Sequence, residues 1–349
     1  MYNNCKQELI KAANIVSYKI KYLLAIIYFI GLLIGLNSCS TIDYLGYTNP
    51  SHGSKRIDQN QISLITYNIK AVYQKDEKQI DKLMEYINSE DFDFVLFQEL
   101  FNEGTRDYII KKTDTTHFTT IIARVDYNSF PEFIFQDAGL FMMAKYPRID
   151  LSNIEFGDGI KNSNGIIHMI LDKEMSKSND FLANKSVLGV LYEINETTQL
   201  FLFTTHVQAI GTTEHKETQL RQIKKFIDAA VDSVLKSGTI KSSEDMIVLL
   251  TGDFNSDAYD EERFMNMQNI LGYPRDLHKE FHGETQEYTF RFSSRNASRR
   301  FDYIMAYDSI GQTTFKKVKV QSINAVDIMD DENNSISDHL GLKASLKTN

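Results

Sequence analysis

Met246-Ile247-Val248-Leu249-Leu250-Thr251 runs straight into Gly252-Asp253-Phe254-Asn255, and these ten residues set the terms for the rest of the chain. The first half is a short, nearly unbroken apolar run, the pattern of a strand buried in a core. The second half is a polar corner of Gly, Asp and Asn, residue types that favour turns. A strand that stops at a polar corner puts functional groups at the tip of a rigid scaffold, where a cleft can use them.

The same alternation of apolar run and polar tip recurs on both sides. Ile62–Tyr67 alternates at the strand period and ends at Asn68. Phe94–Phe97 is a short apolar run that ends at Gln98-Glu99. Ala138–Met143, Val187–Ile194 and Leu200–Thr204 repeat the theme, the last ending at Thr205-His206. Phe301–Ala306 and Lys316–Val320 complete the expected strands. Helical spacing appears in Ile80, Leu83, Met84 and Ile87, and most strongly between Glu217 and Leu235. There Leu220, Ile223, Phe226, Ile227 and Val231 form one apolar stripe. No Pro/Gly-rich break divides the region, so residues 59–349 read as one α/β domain. Strands outnumber helices, which favours a sheet-on-sheet core with helices outside.

Composition narrows the choice of function. Of 349 residues, 42% are hydrophobic and 24% charged, enough apolar material for one large domain. The net charge of −9 does not suit a protein whose main task is gripping nucleic acid, which normally shows a basic face. The two cysteines, Cys5 and Cys39, both precede the domain, which therefore has neither a disulfide nor a cysteine metal site.

Lys6, Lys11, Lys19 and Lys21 precede the apolar stretch Tyr22–Leu36, the layout of an export signal. The stretch is shorter than the roughly 20 residues that span a bilayer. Leu36-Asn37-Ser38-Cys39 resembles a bacterial lipobox, in which the cysteine is lipidated and becomes the mature N-terminus. An uncleaved anchor and plain secretion are the alternatives, and all three place the domain outside the cytoplasm. Residues 1–39 are thus expected to be an export signal and 40–58 a flexible tether. The expected product is an exported, membrane-anchored lipoprotein facing the periplasm or the cell surface, and a monomer.

Each polar tip has a plain structural reading when taken alone. Asn68 could turn the chain, Glu99 could start a helix, His206 could be a satisfied core histidine, and Asp302 could pair with Arg299 or Arg300. Gly252–Asn255 and Ser337-Asp338-His339 could be ordinary loops. Taken in order, Asn68, Gln98-Glu99, Thr205-His206, Gly252-Asp253-Phe254-Asn255, Asp302 and Ser337-Asp338-His339 resemble the endonuclease/exonuclease/phosphatase superfamily, across nearly all of residues 60–346.

That resemblance implies a four-layer α/β/β/α sandwich of two packed mixed sheets with outer helices. It also implies a metal-dependent phosphodiester hydrolase. Glu99 is then the principal ligand for Mg²⁺, with Mn²⁺ or Co²⁺ as substitutes, and Asn68 and Asp338 stand on the metal side. His339 becomes the general base, oriented by Asp302, while Asp253 and Asn255 face the phosphate and the attacking water. His206 donates to the developing negative charge.

Thr205-His206-Val207-Gln208-Ala209 and the helix after it look like the sphingomyelinase branch, which makes a phospholipid the expected substrate. Lys185 falls where that branch carries a lysine, a candidate phosphate contact; a solvated lysine at a strand start is the other reading. An extracellular nuclease, supported by Arg291, Arg295, Arg299 and Arg300, or another phosphoesterase are the alternatives.

Overall fold

The computed structural model describes residues 41–46, 60–127, 136–157, 159–174, 179–292 and 298–348. Cys39 and the expected export signal lie outside the described residues, as do residues 47–58 of the expected tether. Thr41–Gly46, also assigned to the tether, is instead a strand, paired antiparallel with Thr120–Tyr127. Its backbone groups find ladder partners there that a solvated tether would leave to water.

Two seven-stranded sheets carry the fold. The first has the spatial order Thr41–Gly46, Thr120–Tyr127, Phe141–Ala144, Phe94–Gln98, Gln61–Asn68, Gly341–Thr348, Val318–Val326. The second runs Arg275–Asp276, Asp302–Tyr307, Met246–Asp253, Thr198–His206, Lys185–Asn195, Ile166–Leu171, Lys161–Ser163. Both sheets are mixed: Gln61–Asn68 lies parallel to Phe94–Gln98, and Met246–Asp253 parallel to Thr198–His206, among antiparallel neighbours.

Alternation along a strand decides where each side chain goes. Ile247 and Leu249 point between the sheets, where they join Leu64, Leu96, Leu188, Leu202 and Ile304 in one buried cluster. Val248 and Leu250 point the other way and pack under the helix Thr213–Lys236, against Ile223, Phe226 and Ile227. Ile65, Val95 and Phe97 likewise pack against Leu83 and Ile87 of the helix Glu77–Glu90. The result is helix, sheet, sheet, helix. Because helices cover the outer faces, central strands need apolar side chains on both sides, which explains their unbroken runs.

Candidate active site

Strand register brings the polar tips together. Asp253 ends its strand opposite His206 on the parallel neighbour and opposite Asp302 on the antiparallel one. In the other sheet Asn68 lies opposite Gln98, which places Glu99 just beyond the same end. Gly252 makes the close approach possible: its φ is 126°, and a Cβ there would sit 2.0 Å from the Thr205 carbonyl oxygen. Glu99 and Asn255 hold φ values of 55° and 47° immediately past their strand tips, a left-handed conformation that costs energy in non-glycine residues. The fold bears that cost at two corners of the site.

Asn68 binds the two sheets' carboxylates to each other. Its Nδ2 donates to Glu99 Oε1 at 3.0 Å and to Asp253 Oδ2 at 2.9 Å. His206 Nε2 stands 3.5 Å from Glu99 Oε1 and 3.8 Å from Asp253 Oδ2. On the other side, His339 Nδ1 lies 2.9 Å from Asp302 Oδ2, and its Nε2 is 3.6 Å from Asp253 Oδ2. Asp253 thus belongs to two clusters, Glu99–His206–Asp253 and Asp253–Asp302–His339, each with its ligand atoms within 4.8 Å of one another. Asn255 folds back, donating through Nδ2 to Val207 O at 2.9 Å, while its own N–H donates to Asp253 Oδ1 at 2.8 Å.

Burial sets the electrostatics. Desolvation drives Asp253 up to about 7, against the opposing pull of His339. Desolvation works to lower His339, but Asp302 and Asp253 outweigh it and hold the imidazole at about 10. His206 is pushed well below its ordinary value, first by burial and then by the charges of Lys185 and His339. Among the described residues, both ring nitrogens of His206 and Oδ1 of Asp302 are buried without a hydrogen-bond partner. Unpaired buried polar atoms are costly, so groups in this state are poised for something that binds. A divalent cation fits: it finds carboxylate oxygens at Glu99 and Asp253, and its charge would offset the strained ionisation of Asp253.

Two expected metal-side residues are placed differently. Asn68 turns its oxygen, the atom able to ligate, towards the Lys70 N–H at 3.1 Å, and presents only its nitrogen to the cluster. Asp338 stands outside both clusters and forms an ion pair with Lys70 Nζ. Lys185 is also not the solvated lysine of the plain reading. It is buried, with Nζ 2.8 Å from Asp180 Oδ1, and close enough for its charge to act on His206. Any phosphate contact it makes must compete with Asp180.

The structure adds supporting residues. Ser337 Oγ donates to the Asn68 carbonyl at 2.7 Å and accepts from His339 N at 3.2 Å, tying the segment that carries His339 to the neighbouring strand tip of the same sheet. Thr289 Oγ accepts from Asp302 N at 3.1 Å, and the Phe290 ring packs 4.8 Å from the His339 ring. Neither Thr289 nor Phe290 sits beside a recognisable motif in the chain. Ser337 does, one place before Asp338.

No family model matches the sequence. A curated Dictyostelium discoideum protein described only as uncharacterized is 27% identical over 194 residues, 50% of this chain. The chain spans 15% of that relative's length. Among solved structures, an endonuclease/exonuclease/phosphatase from Bacteroides vulgatus superposes with a TM-score of 0.52 at 15% identity, covering 83% of this chain and 99% of that one. The chain has the endonuclease/exonuclease/phosphatase fold. Sphingomyelinase C from Streptomyces griseocarneus shares it with a TM-score of 0.55 at 16% identity, over 82% of this chain and 99% of the other. So does D. rerio TDP2 in complex with a single-strand DNA product, with a TM-score of 0.53 at 17% identity over 82% and 99%. On this fold, the tips of both sheets form the site described above.

Proposed function

We propose that the chain is a metal-dependent phosphodiester hydrolase of the sphingomyelinase type, acting on a phospholipid from an exported, membrane-anchored position. The observation that carries the reaction class is the pairing of His339 with buried Asp302, facing Asp253 beside Glu99 and His206. Phosphodiester hydrolysis needs a base for water, donors for the phosphoryl oxygens and relief of accumulating negative charge.

In this reading His339 Nε2 takes the proton from the attacking water, while Asp302 Oδ2 holds the Nδ1 proton and fixes the ring. Asp253 faces the water and the phosphate, Asn255 holds the Asp253 carboxylate through its N–H instead of facing the phosphate as expected, and neutral His206 donates to a phosphoryl oxygen. A bound divalent cation, Mg²⁺ by its preference for oxygen donors, would neutralise the phosphoryl oxygens and offset the carboxylate charge that keeps His339 protonated. Glu99 and Asp253 would hold it. Glu99→Gln is expected to weaken the apparent Mg²⁺ affinity at least about tenfold, read from rate against Mg²⁺ concentration. An unchanged Mg²⁺ dependence would move the ligand elsewhere.

The phospholipid reading draws on the Thr205–Ala209 segment and on charge. Of the four arginines that favour a nuclease, Arg291 is paired with Asp327, Arg299 with Asp257 and Arg300 with Asp276. Arg295 lies outside the described residues. Three cations already neutralised, on a chain of net charge −9, make a poor grip for a nucleic-acid backbone. The similarity to TDP2 in its DNA complex keeps a nuclease as the second reading.

Membrane anchoring rests on the N-terminal sequence. Among the described residues, no helix is long and apolar enough to cross a membrane. Incorporation of labelled fatty acid in the wild type but not in Cys39→Ala would support lipidation, and equal labelling would reject it. The substrate is tested with Cys39-truncated protein and Mg²⁺ against sphingomyelin, phosphatidylcholine, plasmid DNA and bis-p-nitrophenyl phosphate. Release of phosphocholine is the expected result. Degradation of DNA without it would overturn the choice of substrate.

A further inference from the structure

Between Arg275–Asp276 and the Thr289–Phe290 corner beside His339, the chain carries a second group of metal-binding side chain types, which the proposed reaction does not use. Asp276 accepts from the N–H groups of His278 and Lys279 and so starts the short helix Leu277–His282. One helical turn separates His278 from His282, and their rings lie 4.4 Å apart. Gly283, with φ 60°, turns the chain, and Glu287 comes back with Oε2 2.9 Å from His278 Nε2 and 3.8 Å from His282 Nε2. One ligand atom from each of the three lies within 4.8 Å of the others. The carboxylate is fixed from behind, because Oε2 also accepts from Ala325 N at 2.9 Å.

We propose that His278, His282 and Glu287 form a second metal site, separate from the catalytic centre, that takes a divalent cation of the zinc class. Two imidazoles and one carboxylate are a three-ligand zinc set, and nitrogen-rich sites suit zinc and its transition-metal neighbours rather than Mg²⁺. Access is available: His282 and Glu287 keep side-chain exposures of 18% and 30%. Of the three, His278 also lines a cavity of about 320 Å³ with Tyr259, Lys279 and Gly283.

Two hydrogen bonds are exchanged on binding through Nε2. His282 Nε2 now donates to the Ile323 carbonyl at 2.7 Å and His278 Nε2 to Glu287 Oε2 at 2.9 Å, so each ring must move its proton to Nδ1 and the Ile323 carbonyl loses its partner. The site would also clamp the segment behind the catalytic histidine. Glu287 is two residues from Thr289, whose hydroxyl accepts from Asp302 N.

The test uses the full chain, stripped with a chelator and dialysed against Zn²⁺ alone. Wild type, His282→Gln, Glu287→Gln and Glu99→Gln are compared for bound zinc and for the zinc-dependent rise in Tm. His282→Gln and Glu287→Gln, both partly exposed, are expected to lose one equivalent, with affinity at that site down about 100-fold or more, while Glu99→Gln retains it. Equal zinc binding in wild type, His282→Gln and Glu287→Gln would overturn the site. So would a wild-type chain that binds no zinc beyond what Glu99→Gln removes, a result that does not depend on how the other variants fold.

Discussion

His339→Ala should lower the rate of phosphodiester hydrolysis by about 10²–10⁴-fold while leaving the fold intact, a loss of about 3–5 kcal/mol in transition-state stabilisation. The ring makes its named polar contacts at the cleft, to Asp302 Oδ2 and towards Asp253 Oδ2, so its removal takes away the proposed base and little of the core. Asp302→Asn should cost nearly as much, because an amide cannot hold the same ring tautomer. The double variant should then be little worse than either alone, as expected of residues acting as a unit.

Metal-free protein gives a second readout. His339 is raised to about 10 in the fold, so its contribution to stability is fully present below about pH 6.5 and fades as pH rises towards 10. Asp253, raised to about 7, favours the fold most below about pH 4 and loses that contribution by neutrality. Denaturant titrations of metal-free wild type should therefore lose stability between about pH 7 and 10, and His339→Ala should flatten that slope. Wild-type turnover in purified His339→Ala would remove the base assignment altogether.

How much of this was readable beforehand follows from how each feature is encoded. The tips at Asn68, Glu99, His206, Asp253 and Asp302 are legible because sandwiched strands must be apolar on both faces, which makes the polar residues at the end of a run, or for Asp302 at its start, conspicuous. The helix Thr213–Lys236 extends four residues before the expected start at Glu217, where the N-cap Thr212 accepts from His215 N. The strand Gly341–Thr348 was not singled out, although its alternating burial carries the period-two signal. Its pattern, interrupted by Lys343 and Lys347, is weaker than the unbroken apolar run of Phe94–Phe97.

Side-chain pairings are not written along the chain. Lys185 reads as a phosphate contact or a solvated lysine, because nothing in the sequence says that the chain between Asp180 and Lys185 folds back to pair them. Asp338 reads as a metal-side residue as part of Ser337-Asp338-His339, yet the chain bends there and Asp338 pairs with Lys70 instead. The arginines near residue 300 read as support for a nuclease or as the coat of a loop; Arg291 and Arg299 are indeed exposed, and only Arg300 is buried, against Asp276.

Arg300→Leu should destabilise the protein by about 3–5 kcal/mol and lower its Tm by roughly 10 °C, with little direct effect on chemistry. The guanidinium is 1% exposed, donates through both Nη1 and Nη2 to the Asp276 carboxylate, and lies 4.6 Å over the Tyr303 ring. Burying a pair of charges gains little over an apolar pair, but deleting one partner strands the other in a medium that cannot solvate it. Asp276 cannot readily leave, since it also caps the helix Leu277–His282. Adding Asp276→Asn to Arg300→Leu should recover part of the loss, because an amide keeps the cap and sheds the charge. A phosphate-gripping arginine predicts the reverse pattern: unchanged melting in Arg300→Leu, weaker DNA binding with a shallower salt dependence, and no rescue by the second change. Thermal melts of the three proteins beside a salt series on DNA therefore separate a buried strut from a nuclease contact, and a stable, DNA-deficient Arg300→Leu would reinstate the nuclease reading.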